Sequence, residues 1–224
     1  MSSEAGPRRR DIQQTINGWK LSDTIFRWRT ADVLRKSQLG RHLPARGLLL
    51  DLGSGLGHIA ESLMREAPGR SCVMMDPVTE LSPYVLRRTA GLPRYPMKGS
   101  GTDLPFPAAT FDGVWSAFVL HHVLARGQER ALAEIRRVLR PGGVFVLIED
   151  TPTNDRDAET VLLADRRTNF EGEEEPHHYR RPEQWQRTLS GHGFVVEHEI
   201  AFVRVFPAVT IRAVPHRAFV CRRP

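Results

Sequence analysis

"LLLDLGSGLGHIA", residues 48–60, is the stretch on which the fold turns. Three leucines lead into Asp51, and glycines follow at 53, 55 and 57 before apolar positions resume. A short continuous apolar run reads as a strand buried on both faces, the habit of parallel sheets. Glycines without side chains let the backbone turn tightly into a helix and lie against a ligand. The dinucleotide spacing GxGxxG is not met, because its last glycine would fall at His58. A carboxylate two residues before the first glycine would also repel a pyrophosphate, whereas it favours a ligand bearing an ammonium or sulfonium group.

Working outward, apolar runs at 72–75, 111–119 and 143–148 read as further buried strands with helical segments between them. The clearest helix is "QERALAEIRRVL", 128–139, where Leu132, Ile135, Val138 and Leu139 make one stripe that "RPGG" ends. This alternation predicts an α/β fold with a mostly parallel sheet and right-handed crossovers. "FVVEHEIAFVRVF" and "HRAFVCR" have strand composition and predict a closing antiparallel pair.

At 224 residues and 40% hydrophobic composition, the chain is expected to bury one core. Residues 1–10 are expected to form a disordered tail, and 11–224 a single domain. Within that domain 11–43 read as a helical cover, with Ile12, Ile16 and Trp19 and then Ile25, Phe26, Val33 and Leu34 at helical spacing. Residues 151–185 read as a lid-like insertion over the carboxyl edge of the sheet, with a helix near 157–168.

Lys plus Arg (32) exceed Asp plus Glu (26), giving +6. No basic run is longer than the three arginines at 8–10, which argues against a nucleic-acid track. Cys72 and Cys221 belong to no CxxC pair, which fits a reducing, cytoplasmic setting. No apolar stretch approaches the ~18 residues of a membrane span, and the N-terminus lacks a signal-peptide core. The oligomeric state stays open, a homodimer included.

Asp76 ends the second apolar run in "CVMMDP", 25 residues after Asp51. An acid there suits a ribose diol, whose two hydroxyl donors match two carboxylate oxygens. With these motifs in order, the chain resembles the class I S-adenosylmethionine-dependent methyltransferases of the small bacterial type, similar to natural-product and sugar O-methyltransferases. The resemblance is carried by "DLGSGLG", "MDP", "GTDLPFPAATFDGVWSAFVLHHV" and "EIRRVLRPGGVFVLIED", from about Leu48 to Asp150.

It implies a Rossmann-like, doubly wound, seven-stranded sheet with an antiparallel last strand. It further implies S-adenosylmethionine as cofactor and S-adenosylhomocysteine as product. Asp51, Gly53, Gly55 and Gly57 would line the methionine end, and Asp76 with Pro77 the ribose. Thr102, Asp103 and Leu104 would border the adenine, and Ser116 the sulfur end.

His121 and His122 follow the fourth strand, where an open parallel sheet places its crevice, and histidine titrates near neutrality. They are the candidate acid/base pair for an acceptor hydroxyl, although one or both could simply pack. Glu149 or Asp150, at the end of the fifth strand, could orient an imidazole; the resemblance favours Glu149. Trp19, His178 and Tyr179 are candidate substrate contacts. His177 and His178 on an irregular loop do not make a ligand set at helical spacing, so no metal is expected.

The leading expectation is methyl transfer to a small molecule, with oxygen the favoured acceptor atom. The rivals are a nucleic-acid methyltransferase and a protein that binds the cofactor without transferring its methyl. "SAFVLHHV" lacks the Asn/Asp-Pro-Pro-aromatic segment of amino-methylating nucleic-acid enzymes.

Overall fold

The computed structural model describes residues 24, 26–77, 86–87, 89–168, 177–204 and 213–224, and the side chains of all these except 165–168. The expected disordered tail, Trp19 and the first helix of the cover lie outside them.

Helix α1 spans residues 26–37 and α2 is a single turn, Leu39–His42. There follow β1 (Arg46–Leu52), α3 (His58–Glu66), β2 (Gly69–Asp76), β3 (Arg94–Lys98) and β4 (Phe111–Ala117). A 3₁₀ turn at Leu120–His122 leads to α4 (Ala125–Val138) and β5 (Leu139–Asp150). The chain closes with α5 (Asp155–Thr168), α6 (Pro182–Gly191), β6 (Val195–Arg204) and β7 (Val214–Arg222).

The seven strands form one sheet in the order β3-β2-β1-β4-β5-β7-β6. Pairings from β3 through to β5 are parallel, and β7 runs antiparallel to both β5 and β6. The mostly parallel sheet and the antiparallel closing pair are as the sequence predicts. β3 was not among the apolar runs, because "RYPMK" is an edge strand with three polar residues and a proline, and it is largely exposed.

Strand residues alternate between two apolar layers. Leu50, Met75, Val114, Phe145 and Leu147 face a core closed by Leu132, Ile135 and Val138 of α4 and by Trp185 and Leu189 of α6. Leu49, Cys72, Met74, Val146 and Ile148 face the other layer, closed by Leu63 and Met64 of α3, Val33 of α1 and Leu39 of α2. Fully burying each such side chain contributes about 1.5–3 kcal/mol. Both cysteines are unpaired and buried. No helix among the described residues is long and apolar enough to cross a membrane.

Helix α4 begins three residues earlier than its apolar stripe suggested. Buried Arg70 donates to the carbonyls of Pro44 (2.8 Å), Leu63 (3.0 Å), Gly40 (2.6 Å) and Leu43 (3.1 Å), fastening α2 and the end of α3 to the base of β2. At the opposite, carboxyl edge, α5 packs Val161 and Ala164 against Val214 and Tyr179 and anchors the segment after β5.

Candidate active site

The loop after β1 is shaped by its glycines. The Gly53 and Ser54 N–H groups donate to Met75 O (2.8 and 3.0 Å), bending the chain towards the end of β2. Gly53 has φ 78°, and a Cβ there would overlap the Val119 side chain. Gly55, at φ 49°, has open space where a Cβ would stand, and its N–H donates to Asp76 Oδ2 at 2.9 Å. Gly57 begins α3 in the left-handed region. The two glycines therefore serve different ends: the first permits chain packing, and the second leaves backbone accessible.

A matched pair of variants separates these roles. Gly53→Ala should cost about 3 kcal/mol by denaturant unfolding, combining left-handed strain with overpacking. Gly55→Ala should fold with a penalty of about 1 kcal/mol and lose roughly tenfold or more of cofactor affinity by calorimetry, since a methyl would fill the open space. Equal affinity in a folded Gly55→Ala protein would move the ligand off this loop.

Asp51 lies beneath the loop, 2% exposed, and its Oδ2 has no hydrogen-bond partner among the described residues. Burial pushes its carboxyl well above the usual carboxylate range, the neighbouring Asp76 carboxyl adds to the push, and the Trp115 indole partly opposes it. Two carboxyl groups held this close, one buried, form a site that gains from a cation. Such a group fits a ligand with ammonium and sulfonium charges, as the sequence suggested.

Ser116 pairs in register with Leu52 and is fully buried. In the 100–106 loop Thr102 is half-buried, Asp103 is exposed and Leu104 is buried in the core. Two residues of α4 fix that loop. Glu134 accepts the Leu104 N–H at 2.8 Å, and Arg137 donates to Leu104 O (2.9 Å) and Phe106 O (2.7 Å). Pro77 is exposed at the end of β2.

The second half of the site begins where β4 ends. Phe118 takes φ 60°, an unusual conformation for a bulky residue. Its N–H bonds Ile148 O at 2.8 Å, and its ring meets His216 edge-on at 5.1 Å. The turn presents the next two amides to Glu149, whose Oε1 accepts the N–H groups of Val119 (3.2 Å) and Leu120 (2.7 Å). Glu149 Oε2 lies 2.6 Å from His121 Nδ1, with both side chains buried. A carboxylate on Nδ1 fixes the proton there and leaves Nε2 as the basic nitrogen.

Glu149 and Asp150 face opposite layers because side chains alternate along a strand. Asp150 pairs with His216 Nδ1, and buried Arg204 sits over the Phe118 ring with its Cζ 5.3 Å from the centroid. Burial lowers the His216 pKa, which Asp150 partly opposes. Burial also brings Arg204 down to about 10, with Arg29 acting in the same direction and Asp150 and Asp32 against it.

The segment before α6 is fastened to the same turn. His178 N–H donates to His121 O at 2.7 Å, and buried Gln128 donates to both Leu120 O (2.8 Å) and His178 O (2.9 Å). Tyr179 stacks on His121 with centroids 5.1 Å apart. The rings of His121 and His122 lie 4.1 Å apart, and His177 lies 5.1 Å from His122 and 6.2 Å from His121. The fold thus brings His121, His122, Glu149, His178 and Tyr179 together, and it is the ring of His177 that enters the imidazole cluster. Gln128 was not foreseen as a site residue; its signal was a polar side chain on the apolar stripe of α4. Phe26 stacks on His58 at 6.1 Å, and Trp28 is exposed.

Residues 50–147 match the family described as methyltransferase domain. Over this segment the chain is similar to a methyltransferase domain. Its boundaries run from β1 into β5 and take in the glycine loop, Asp76, the 100–106 loop and both adjacent histidines. The demethylmenaquinone methyltransferase of Thermus thermophilus is 35% identical over 106 residues, 46% of this chain and 47% of that protein. The mitochondrial arginine-hydroxylase NDUFAF5 of Rattus norvegicus is 37% identical over 101 residues, 44% of this chain and 27% of that protein. The chain therefore spans about half or less of the curated relatives it matches. In fold, the chain is similar to geranyl diphosphate methyltransferase in complex with GPP and sinefungin, with a TM-score of 0.67 at 15% identity over 85% of this chain and 77% of that one. The cofactor of the family is S-adenosylmethionine. The Asp51 oxygen that has no partner among the described residues and the open space at Gly55 fit it.

Proposed function

We propose that the chain transfers a methyl group from S-adenosylmethionine to a hydroxyl-bearing small molecule, with His121 Nε2 taking the hydroxyl proton. The observation that carries this reading is the buried Glu149–His121 pair, 2.6 Å apart, on a turn whose Val119 touches Gly53 of the cofactor loop. When bound, S-adenosylmethionine would supply an electrophilic methyl to the deprotonated acceptor and be released as S-adenosylhomocysteine. Asp51 and the Gly55 backbone hold the cationic end, Asp76 the ribose, and the 100–106 loop the adenine. Glu149 keeps the proton of His121 on Nδ1. A positioned base of this kind contributes a factor of ~10² to 10⁴.

Small-molecule acceptors are favoured over nucleic acid because His121 is 1% exposed, so the reacting group must enter a recess. A relative named for demethylmenaquinone supports a ring-bearing acceptor. Removing a ring hydroxyl proton activates the oxygen or the adjacent ring carbon, so His121 can serve either outcome. The free, buried cysteines support placing the reaction in the cytoplasm.

A second reading, cofactor binding with different chemistry, is favoured by the match to an arginine-hydroxylase. Incubating the purified chain with methyl-labelled S-adenosylmethionine and separate metabolite and RNA pools distinguishes the readings. Label in a small molecule is expected. Label in RNA, or stoichiometric cofactor binding without transfer to either pool, overturns the proposal.

A further inference from the structure

We propose that His121, His122 and His177 form a binding site for one divalent transition ion of the zinc type. One ring nitrogen from each of the three lies within 4.8 Å of the others, with His121 buried and the other two partly so. One loop alone supplies no ligand set; the fold draws the three rings from two segments, the turn after β4 and the irregular stretch at 177–181 before α6. An ion bound by tetrahedral nitrogens at ~2.0–2.1 Å needs those nitrogens roughly 3.3–3.4 Å apart. From a spacing of at most 4.8 Å, each pair must approach by no more than about 1.5 Å.

Three features beyond proximity point to an ion. A carboxylate accepting the second N–H of a ligating histidine is the usual outer partner of a metal-bound imidazole, and Glu149 occupies that position on His121 at 2.6 Å. Glu149 is itself held by the two amides of Val119 and Leu120, so it cannot swing in to become a ligand without breaking both bonds. The two segments are also locked in register by His178 N–H to His121 O and by Gln128, which keeps His177 beside the pair. Imidazoles suit zinc, copper, iron and nickel rather than magnesium or calcium, and three protein ligands leave the fourth tetrahedral position for an exogenous oxygen.

This inference rests on the proposed methyl transfer only for its consequence. With an ion bound, His121 is a ligand rather than the base, and coordination lowers the pKa of an acceptor hydroxyl in its place. Binding itself requires no turnover. The full chain, stripped with a chelator, is titrated with Zn²⁺ by calorimetry and with Co²⁺ followed by visible absorption. Uptake of one equivalent with tetrahedral cobalt bands is expected. His177→Ala is expected to weaken uptake by at least ~10- to 100-fold, with His177→Cys restoring it and His178→Ala leaving it intact. S-adenosylmethionine binding, measured on each variant, reports whether the domain is folded. No stoichiometric uptake, or uptake unchanged in folded His177→Ala and His122→Ala proteins, overturns the metal site. Methyl transfer by the stripped chain tests the proposed function separately.

Discussion

Glu149→Gln is expected to lower turnover on the true acceptor by about 10²- to 10⁴-fold while leaving S-adenosylmethionine affinity nearly unchanged. The reason is the hydrogen-bond inventory. Oε1 accepts from Val119 and Leu120, and Oε2 faces His121 Nδ1. An amide keeps only one acceptor oxygen, and its NH₂ cannot accept a proton from Nδ1. If the oxygen stays with the backbone, the NH₂ meets the ring and His121 adopts the other tautomer, with its proton on Nε2 and no lone pair for the acceptor. The change should also cost about 1–3 kcal/mol of stability, because a buried pair is left imperfectly matched. Rapid-quench single-turnover kinetics, with cofactor affinity by calorimetry, would check this. A folded variant with unaltered turnover would make the pair purely structural.

Asp51→Asn is expected to act in opposite directions on stability and on binding. The buried carboxyl has a folded-state pKa well above its unfolded one, so in the ligand-free chain it opposes folding as pH rises from the unfolded value towards the raised value. A neutral isostere removes that opposition and should raise ligand-free stability by about 1–3 kcal/mol near neutral pH. The same substitution removes the countercharge for the cofactor and should weaken S-adenosylmethionine binding by roughly 10- to 100-fold, the equivalent of ~1.5–3 kcal/mol. In the wild-type chain a cationic ligand favours the ionised carboxyl. Binding should therefore release protons, and affinity should rise with pH up to the raised pKa. Calorimetry in two buffers of different ionisation enthalpy measures that release, and thermal melts of the ligand-free proteins measure the stability change. Proton uptake on binding, or an Asp51→Asn protein that melts lower and binds equally well, would remove Asp51 from the cofactor site.

The architecture was readable where burial imposes a period. β1, β2, β4 and β5 are covered on both faces and therefore appear as uninterrupted apolar runs, and α4 shows its stripe because one side faces the sheet. β3 escaped because Arg94, Pro96 and Lys98 break the pattern of an exposed edge. In the site, Asp51, Asp76 and the glycines could be located from the sequence because strand ends and tight turns are local. That one of the two strand-end acids could orient one of the two imidazoles is legible from their positions, with only the resemblance favouring Glu149, whereas Asp150 and His216 meet through the antiparallel register of β5 and β7. The choice between His177 and His178 depends on an irregular segment with no periodicity, so only the folded chain shows that the ring of the first joins the cluster while the backbone of the second ties it down.

The alternation that sends Glu149 and Asp150 to opposite layers has a genetic corollary. Insertions after Pro152, where the chain becomes exposed, would lengthen a surface connection and leave the two acids in place. One codon lost between Gly143 and Glu149 would hand His121 the shorter acid and leave Thr151 facing His216, and one gained would put Ile148 before His121 and Glu149 before His216. Viable length variation in descendants of this chain should therefore begin only beyond Pro152.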